Sequence, residues 1–318
     1  MTGGFVQGGG QGPLSGIYGV GSDNAVSFDV VLASGKVVTA DATHYPDLFW
    51  ALKGGGMATY GVVLSATFKT HKAVPVVGMQ LQIMDSDSDR FWEGVRIWYT
   101  AASSYTEKGM YVWYVLSEGS LNAQPFVAPN MTAAQFKAVV NPMLDRLRAA
   151  NVSFTTSPVR EFTKFGDLYN EMWEFTHHGS GSGVFWGGRM VSQRDVNENG
   201  DAVVQAYRDM SNRYPGQVAF GGHLVNPGYR IKDPLGKLSA VHPVWRETAD
   251  IEVFLFFPPP CMSKEQRTEA QRKVTQDLQP ILDSATPHSA VYSNEVRSPS
   301  IPSSVPPNLD SVAHELTW

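Results

Sequence analysis

The stretch Gly3-Gly4-Phe5-Val6-Gln7-Gly8-Gly9-Gly10-Gln11-Gly12-Pro13-Leu14-Ser15, continued by Ile17-Tyr18-Gly19-Val20, sets the terms for the rest of the chain. Nine of the 30 glycines fall within the first 21 residues, and five more lie between 35 and 61. Glycine tolerates positive φ and lets other groups approach the backbone. Such crowding therefore marks either tight turns or a ligand pressed against main chain. Neither common nucleotide motif fits. No Gly-Lys-Ser/Thr follows, so this is not a Walker loop. Gly10-Gln11-Gly12-Pro13-Leu14-Ser15 resembles G-x-G-x-x-[GA], but no strand precedes it and no amphipathic helix follows. Spacing alone leaves a structural turn and a ligand-facing backbone both open.

Downstream, Ala25–Leu32 and Lys36–Ala40 flank a Ser-Gly turn and read as a hairpin. Pro46–Lys53 reads as a short helix with proline in its first turn, stopped by Gly54-Gly55-Gly56. Tyr60–Lys69 reads as a strand. A boundary is expected near Lys72-Ala73-Val74-Pro75, giving parts 1–72 and 73–318. In the second part Val76–Met84, Gly109–Leu116, Gly183–Val191, Val218–Leu224 and Ile251–Phe257 read as strands. Ser88–Ser103, Thr132–Ala150, Val196–Arg213 and Ser263–Ser284 carry helical apolar spacing. Residues 297–308 are rich in proline and serine and read as irregular, with a short element at Ser311–Trp318. Elements in blocks, not strict alternation, predict an α+β fold.

Composition narrows the partners. Net charge is −5 and no basic patch is visible, so a nucleic-acid backbone is not expected. No apolar run approaches the roughly 20 residues that span a bilayer, so no membrane association is expected. The opening residues do not read as a signal peptide. The single cysteine, Cys261, excludes an intrachain disulfide and reads as an idle thiol. His177-His178 has no further ligand at metal spacing and reads as surface, so no metal site is expected. No G-x-S-x-G elbow is present.

Four ordered blocks carry a more specific signal. They are the opening stretch through Asp23-Asn24, Pro46–Gly56 with Tyr60-Gly61-Val62-Val63, Val241-His242-Pro243-Val244-Trp245-Arg246, and Tyr292-Ser293-Asn294-Glu295. Together they closely resemble the vanillyl-alcohol-oxidase superfamily in its berberine-bridge-enzyme-like branch, in the style of fungal secondary metabolism. The resemblance implies the second half of a PCMH-type FAD-binding domain at 1–72. A substrate domain with an antiparallel sheet covered by helices would follow at 73–318.

The implied activity is FAD-linked oxidation of a small molecule, with hydride passing to flavin and electrons on to oxygen. Gly9, Gly10, Gly12, Ser15, Tyr18, Gly19, Asn24, Gly61, Val62 and Val63 would lie along the FAD. Tyr292 and Asn294 would face the flavin from the substrate side, Tyr292 as base or substrate orienter. Trp245 and Arg246 are expected to pack and pair structurally. Family members often have histidine where Gln11 stands, and are often secreted. Against the family pattern, the upstream half with its flavin-linking residues and a C-terminal block are expected to be missing. Any FAD would then be non-covalent and weakly held, and an exposed apolar surface would invite a protein partner. A non-catalytic scaffold, partner subunit or flavin-free cyclisation helper is the alternative. Aromatic-rich Tyr111–Tyr114 and Phe185-Trp186 would suit a planar substrate, although such runs also build ordinary core.

Overall fold

The computed structural model describes residues 2–57, 59–173, 184–233 and 236–295. His177-His178, residues 297–308 and Ser311–Trp318 lie outside the described residues.

The chain opens with turns, a one-turn helix α1 (Ser15–Tyr18) and a 3₁₀ turn Gly21–Asn24. The hairpin forms as β1 (Ala25–Val31) and β2 (Val37–Asp41), with Phe28 opposite Ala40 and Val30 opposite Val38. Helix α2 (Pro46–Leu52) starts on its proline and ends before Gly54, whose φ is 100°. Strand β3 (Val62–Phe68) pairs with the other edge of β1, giving the order β2-β1-β3. Val6, Phe28, Val30, Val38 and Leu52 are buried together between this small sheet and α2.

The second sheet is larger. Strands β4 (Val76–Met84), β5 (Tyr111–Ser117), β6 (Ser120–Pro129), β7 (Phe154–Thr156), β8 (Arg160–Phe162), β9 (Phe185–Ser192), β10 (Val218–Leu224) and β11 (Thr248–Phe256) pair antiparallel throughout. The order is β7-β4-β6-β5-β10-β11-β9, with β8 also on β4. One face is covered by α3 (Ser88–Tyr99), α4 (Ala102–Thr106), α5 (Ala133–Ala149) and α7 (Gln193–Arg213). The same layer holds α8 (Lys264–Arg272), a π-helical turn Lys273–Leu278 and α9 (Gln279–Ala285). Helix α6 (Phe165–Met172) lies on the opposite face, where Leu168 and Met172 are buried with Val76, Tyr111 and Trp245.

Strand alternation sorts these faces, because successive side chains point to opposite sides. On β5, Val112, Tyr114 and Leu116 join the helical core, while Tyr111 and Trp113 belong to the other face. The aromatic run is thus divided between two environments.

Several elements depart from the sequence reading. Helix 88–103 ends at Tyr99 and restarts as α4. Helix 196–213 begins earlier, at Gln193, because Ser192 Oγ accepts from the Asp195 N–H and caps it. Segment 263–284 is broken by the π turn. Strand β11 begins at Thr248, three residues before the expected start, where the buried Asp250 does not look like core in sequence. Strand β6 carries Pro125 and Pro129, which speak against a strand in sequence. The three-residue β7 and β8 are too short to show a period. Helix α5 matches well, since Thr132 and Gln135 form a reciprocal capping box.

Phe126 is fully buried on β6, edge-on to Tyr105 (centroids 5.5 Å) and Phe136 (6.2 Å). Phe126→Ala is expected to destabilise the fold by about 3–5 kcal/mol through lost burial and a cavity, measured by urea unfolding.

Candidate functional site

The glycine segment lies against the sheet face that the helical layer leaves free. Its turns are closed by main-chain bonds: Gly8 N–H to the Gly4 carbonyl (2.9 Å), Gly9 N–H to Val6 (3.1 Å) and Ser22 N–H to Gly9 (2.9 Å). Gly9 has φ of 109°, a region that side chains disfavour. A Cβ there would also stand 3.0 Å from the Trp245 ring. At Gly8 a Cβ would fall inside contact with the Asn294 amide. These glycines are therefore required first by side chains arriving from 245 and 292–295.

Those side chains form one connected set. Trp245 and Tyr292 meet edge to face at 4.9 Å, both buried. The Asn294 Nδ2 donates to the Tyr292 hydroxyl (2.7 Å) and to the Gly4 carbonyl (3.1 Å). Burial pushes the Tyr292 phenol up to about 12, opposed by hydrogen bonds from Asn294 and the Gly10 backbone. The hydroxyl oxygen thus already receives donors, which leaves its proton for another acceptor. Glu295, missed in the sequence, follows directly, and burial pushes its carboxyl up to about 7.

Farther along the same face, Tyr111 Oη and His223 Nδ1 are 2.6 Å apart, the donor depending on the tautomer. Burial holds His223 down to about 4, so its imidazole is neutral at ordinary pH. Trp173 stacks over Tyr111 at 5.8 Å. Sequence reasoning missed this pair, because Tyr111 and His223 meet only across the β5–β10 ladder.

The remaining predicted residues line two concavities. Gly10, Gly12, Ser15, Tyr18, Gly19 and Asn24 border one of about 290 Å³, with His71. Asn24 shares a 2.6 Å hydrogen bond with His71, whose ring stacks on Tyr18 at 3.8 Å. Gly61, Val62 and Val63 border another of about 550 Å³, with Gly3, Gly4 and Gln7. The structure does not bring the two groups into one cavity, and Gly9 borders neither. Gln11 lines the first and Gln7 the second, and the Oε1 atom of each is buried without a hydrogen-bond partner among the described residues. No group of three or more histidine, cysteine or carboxylate residues suited to a metal ion occurs among the described residues.

One ion pair fastens the segment to the sheet. Arg246 donates to both Asp23 oxygens at 2.6 and 2.7 Å and to Ser239 Oγ at 3.0 Å. Both charged side chains are over nine-tenths buried. The structural role expected for Trp245 and Arg246 is thus visible in their contacts.

This geometry is an α+β scaffold with a glycine-built main chain packed under an antiparallel sheet. The same arrangement occurs in known flavoproteins. The chain is 34% identical over 237 residues to the FAD-linked oxidoreductase sor8 of Hypocrea jecorina, covering 74% of this chain and 39% of that protein. It is 30% identical over 300 residues to the FAD-linked oxidoreductase ZEB1 of Gibberella zeae, covering 93% and 51%. The crystal structure of the VAO-type flavoprotein MtVAO615 from Myceliophthora thermophila matches with a TM-score of 0.80 at 27% identity, over 93% of this chain and 54% of that one. The berberine-bridge-like protein 1 of Physcomitrella patens shares the fold, with a TM-score of 0.68 at 17% identity, over 92% of this chain and 61% of that one. No family model matches the chain. The chain is thus similar to FAD-linked oxidoreductases and to VAO-type flavoproteins, and it shares its fold with a berberine-bridge-like protein. It spans about half the length, or less, of the curated relatives it matches.

Asp23→Ala would leave the Arg246 guanidinium buried and uncompensated. The expected loss is about 3–5 kcal/mol in urea unfolding, while replacing both partners with apolar residues should cost much less.

Proposed function

We propose that this chain supplies flavin-facing and substrate-facing surfaces of an FAD-linked oxidoreductase acting on a small organic molecule. One observation carries the reading. The Tyr292–Asn294 pair packs on the main chain at Gly4 and Gly8, and Gln7 and Gln11, whose Oε1 atoms have no partner among the described residues, line the two concavities. Unpartnered buried acceptors are costly and ask for a donor from outside the chain. A flavin nucleotide, rich in N–H and O–H donors, fits that requirement. The larger concavity, about 550 Å³, is of the size that bound ligands occupy.

On this reading Gln7, Gly61, Val62 and Val63 hold one part of the cofactor. Gln11, Gly12, Ser15, Tyr18, Gly19 and Asn24 hold another. Gly9 and Gly10 form the turn between these two stretches of chain, with Gly9 beneath Trp245. FAD, when bound, supplies the redox chemistry, accepting a hydride from the substrate and passing two electrons to oxygen.

The chain's own residues bind, orient and manage protons. Tyr292, held by Asn294 and the Gly10 amide, offers its O–H to a substrate oxygen or nitrogen and orients it. Its raised pKa suits a proton-bearing orienter better than a resting base. Trp245 and Tyr111 exclude water from that side. The neutral His223 imidazole keeps the sheet face uncharged, which suits an apolar substrate.

Two measurements test this. FAD titrated into the 318-residue chain should change the visible flavin spectrum saturably, and acid precipitation should leave the flavin in solution. Colour in the precipitate would contradict non-covalent binding, and no saturable change would overturn the cofactor assignment. With a turnover substrate, Tyr292→Phe should lower kcat by roughly 10²-fold or more with FAD binding retained. An unchanged kcat would remove Tyr292 from the reaction.

A further inference from the structure

Inside the helical core, away from the candidate site, two carboxylic acids sit side by side. Asp250 and Glu252 are two residues apart on β11, so both point toward the helices. Their exposures are 0% and 2%. The Tyr114 hydroxyl on β5 donates to Asp250 Oδ2 at 2.8 Å, and the Tyr207 hydroxyl on α7 donates to Glu252 Oε2. Tyr99 on α3 faces both acids and packs edge-on against Tyr207 at 5.7 Å. Asp250 Oδ1 and Glu252 Oε1 have no hydrogen-bond partner among the described residues.

Among the described residues no ion pair joins a cation to either acid. Arg189 on β9, which acts on Glu252 electrostatically, donates instead to Thr286 Oγ1 (3.0 Å) and the Thr286 carbonyl (2.7 Å), and pairs with Asp283 at 3.4 Å. The contrast with Asp195 is instructive. That acid is equally buried but accepts from the His288 amide, the Ser289 hydroxyl and the Asn199 side chain. This core can furnish amide and hydroxyl donors to a buried acid, yet at 250 and 252 it offers little beyond tyrosine hydroxyls.

From this arrangement we propose that Asp250 and Glu252 form a proton-holding pair that clamps α7 onto the sheet and loosens as the surroundings turn alkaline. Two adjacent carboxylates could not both be charged in an apolar core without a cation, so protons are retained. A protonated carboxyl can also donate a hydrogen bond, which a carboxylate cannot. Desolvation pushes Asp250 up to about 7 and Glu252 well above the carboxylate range.

The sign follows. The native pair binds more protons than the unfolded chain, whose carboxyls titrate near their ordinary values. Its contribution is complete below those values and falls as pH rises above them, Asp250's share being gone above about 7 and Glu252's persisting to higher pH. One retained proton makes the unfolding equilibrium constant rise about tenfold per pH unit across that window. Two other groups bear on the profile. His223, held down to about 4, opposes the trend below its ordinary range, and Glu295, pushed up to about 7, adds to it. The test is therefore a difference between chains that share those groups.

Urea unfolding of the full chain, Glu252→Gln and Asp250→Asn is followed from pH 5 to 8.5. The wild-type unfolding constant should rise more steeply than that of either amide variant, by up to tenfold per pH unit. Parallel profiles, or a flat wild-type profile above pH 6.5, overturn the proposal. Should the amide variants fail to fold, Tyr207→Phe serves. It removes a donor that favours ionised Glu252, so the midpoint of the pH dependence should move upward. An unmoved midpoint overturns the proposal equally.

Discussion

A buried ion pair sets the arrangement on which the rest of the site depends. Arg246 and Asp23 are 223 residues apart, and both lose most of their hydration when they meet. Such a pair is tolerated only with good geometry and further hydrogen bonds. The two-pronged contact, with Ser239 as a third partner, supplies most of these, leaving Arg246 Nε without a partner among the described residues. Because Trp245 precedes Arg246, fixing the guanidinium also fixes the indole. The indole stands over Gly9 and against Tyr292, and Asn294 then reaches Gly4. One electrostatic contact thus determines where four other groups lie.

The large sheet gives this cluster its platform by presenting two different apolar faces. Helices cover one face completely, and its aromatic residues are core. The other face receives the glycine segment, Trp245 and Tyr292, and holds polar groups that burial keeps neutral, including His223. Charge is therefore confined to a few well-partnered positions near the site. An uncharged wall strengthens whatever hydrogen bonds form beside it, because the local dielectric is low.

The helical core repeats the same economy differently. Asp195 is held by amides and hydroxyls, whereas Asp250 and Glu252 rest among tyrosines. Burial alone does not determine what a carboxyl does, since the donors around it decide which protonation state the fold accepts.

Much of the architecture could be read along the chain. Helix α5 was legible because its cap and its apolar spacing are local signals, and Val76–Met84 because nine residues suffice to show strand character. The hairpin was legible from β-branched runs around a turn. Strand β6 was hidden by its prolines, and the start of β11 by an acid that looks like a surface residue. The residues of the site were legible only through family resemblance, since glycines and a lone tyrosine have no chemistry-bearing spacing of their own. What they touch was not legible at all. The sequence by itself determined the α+β class, the local elements and the glycine-rich segment, because propensity, capping and periodicity act over a few residues. Only the tertiary structure decided that Arg246 closes on Asp23, that Tyr111 meets His223, and that Gly8 and Gly9 make room for Asn294 and Trp245. Those contacts join distant positions, and they exist only once the strands are ordered and their registers set.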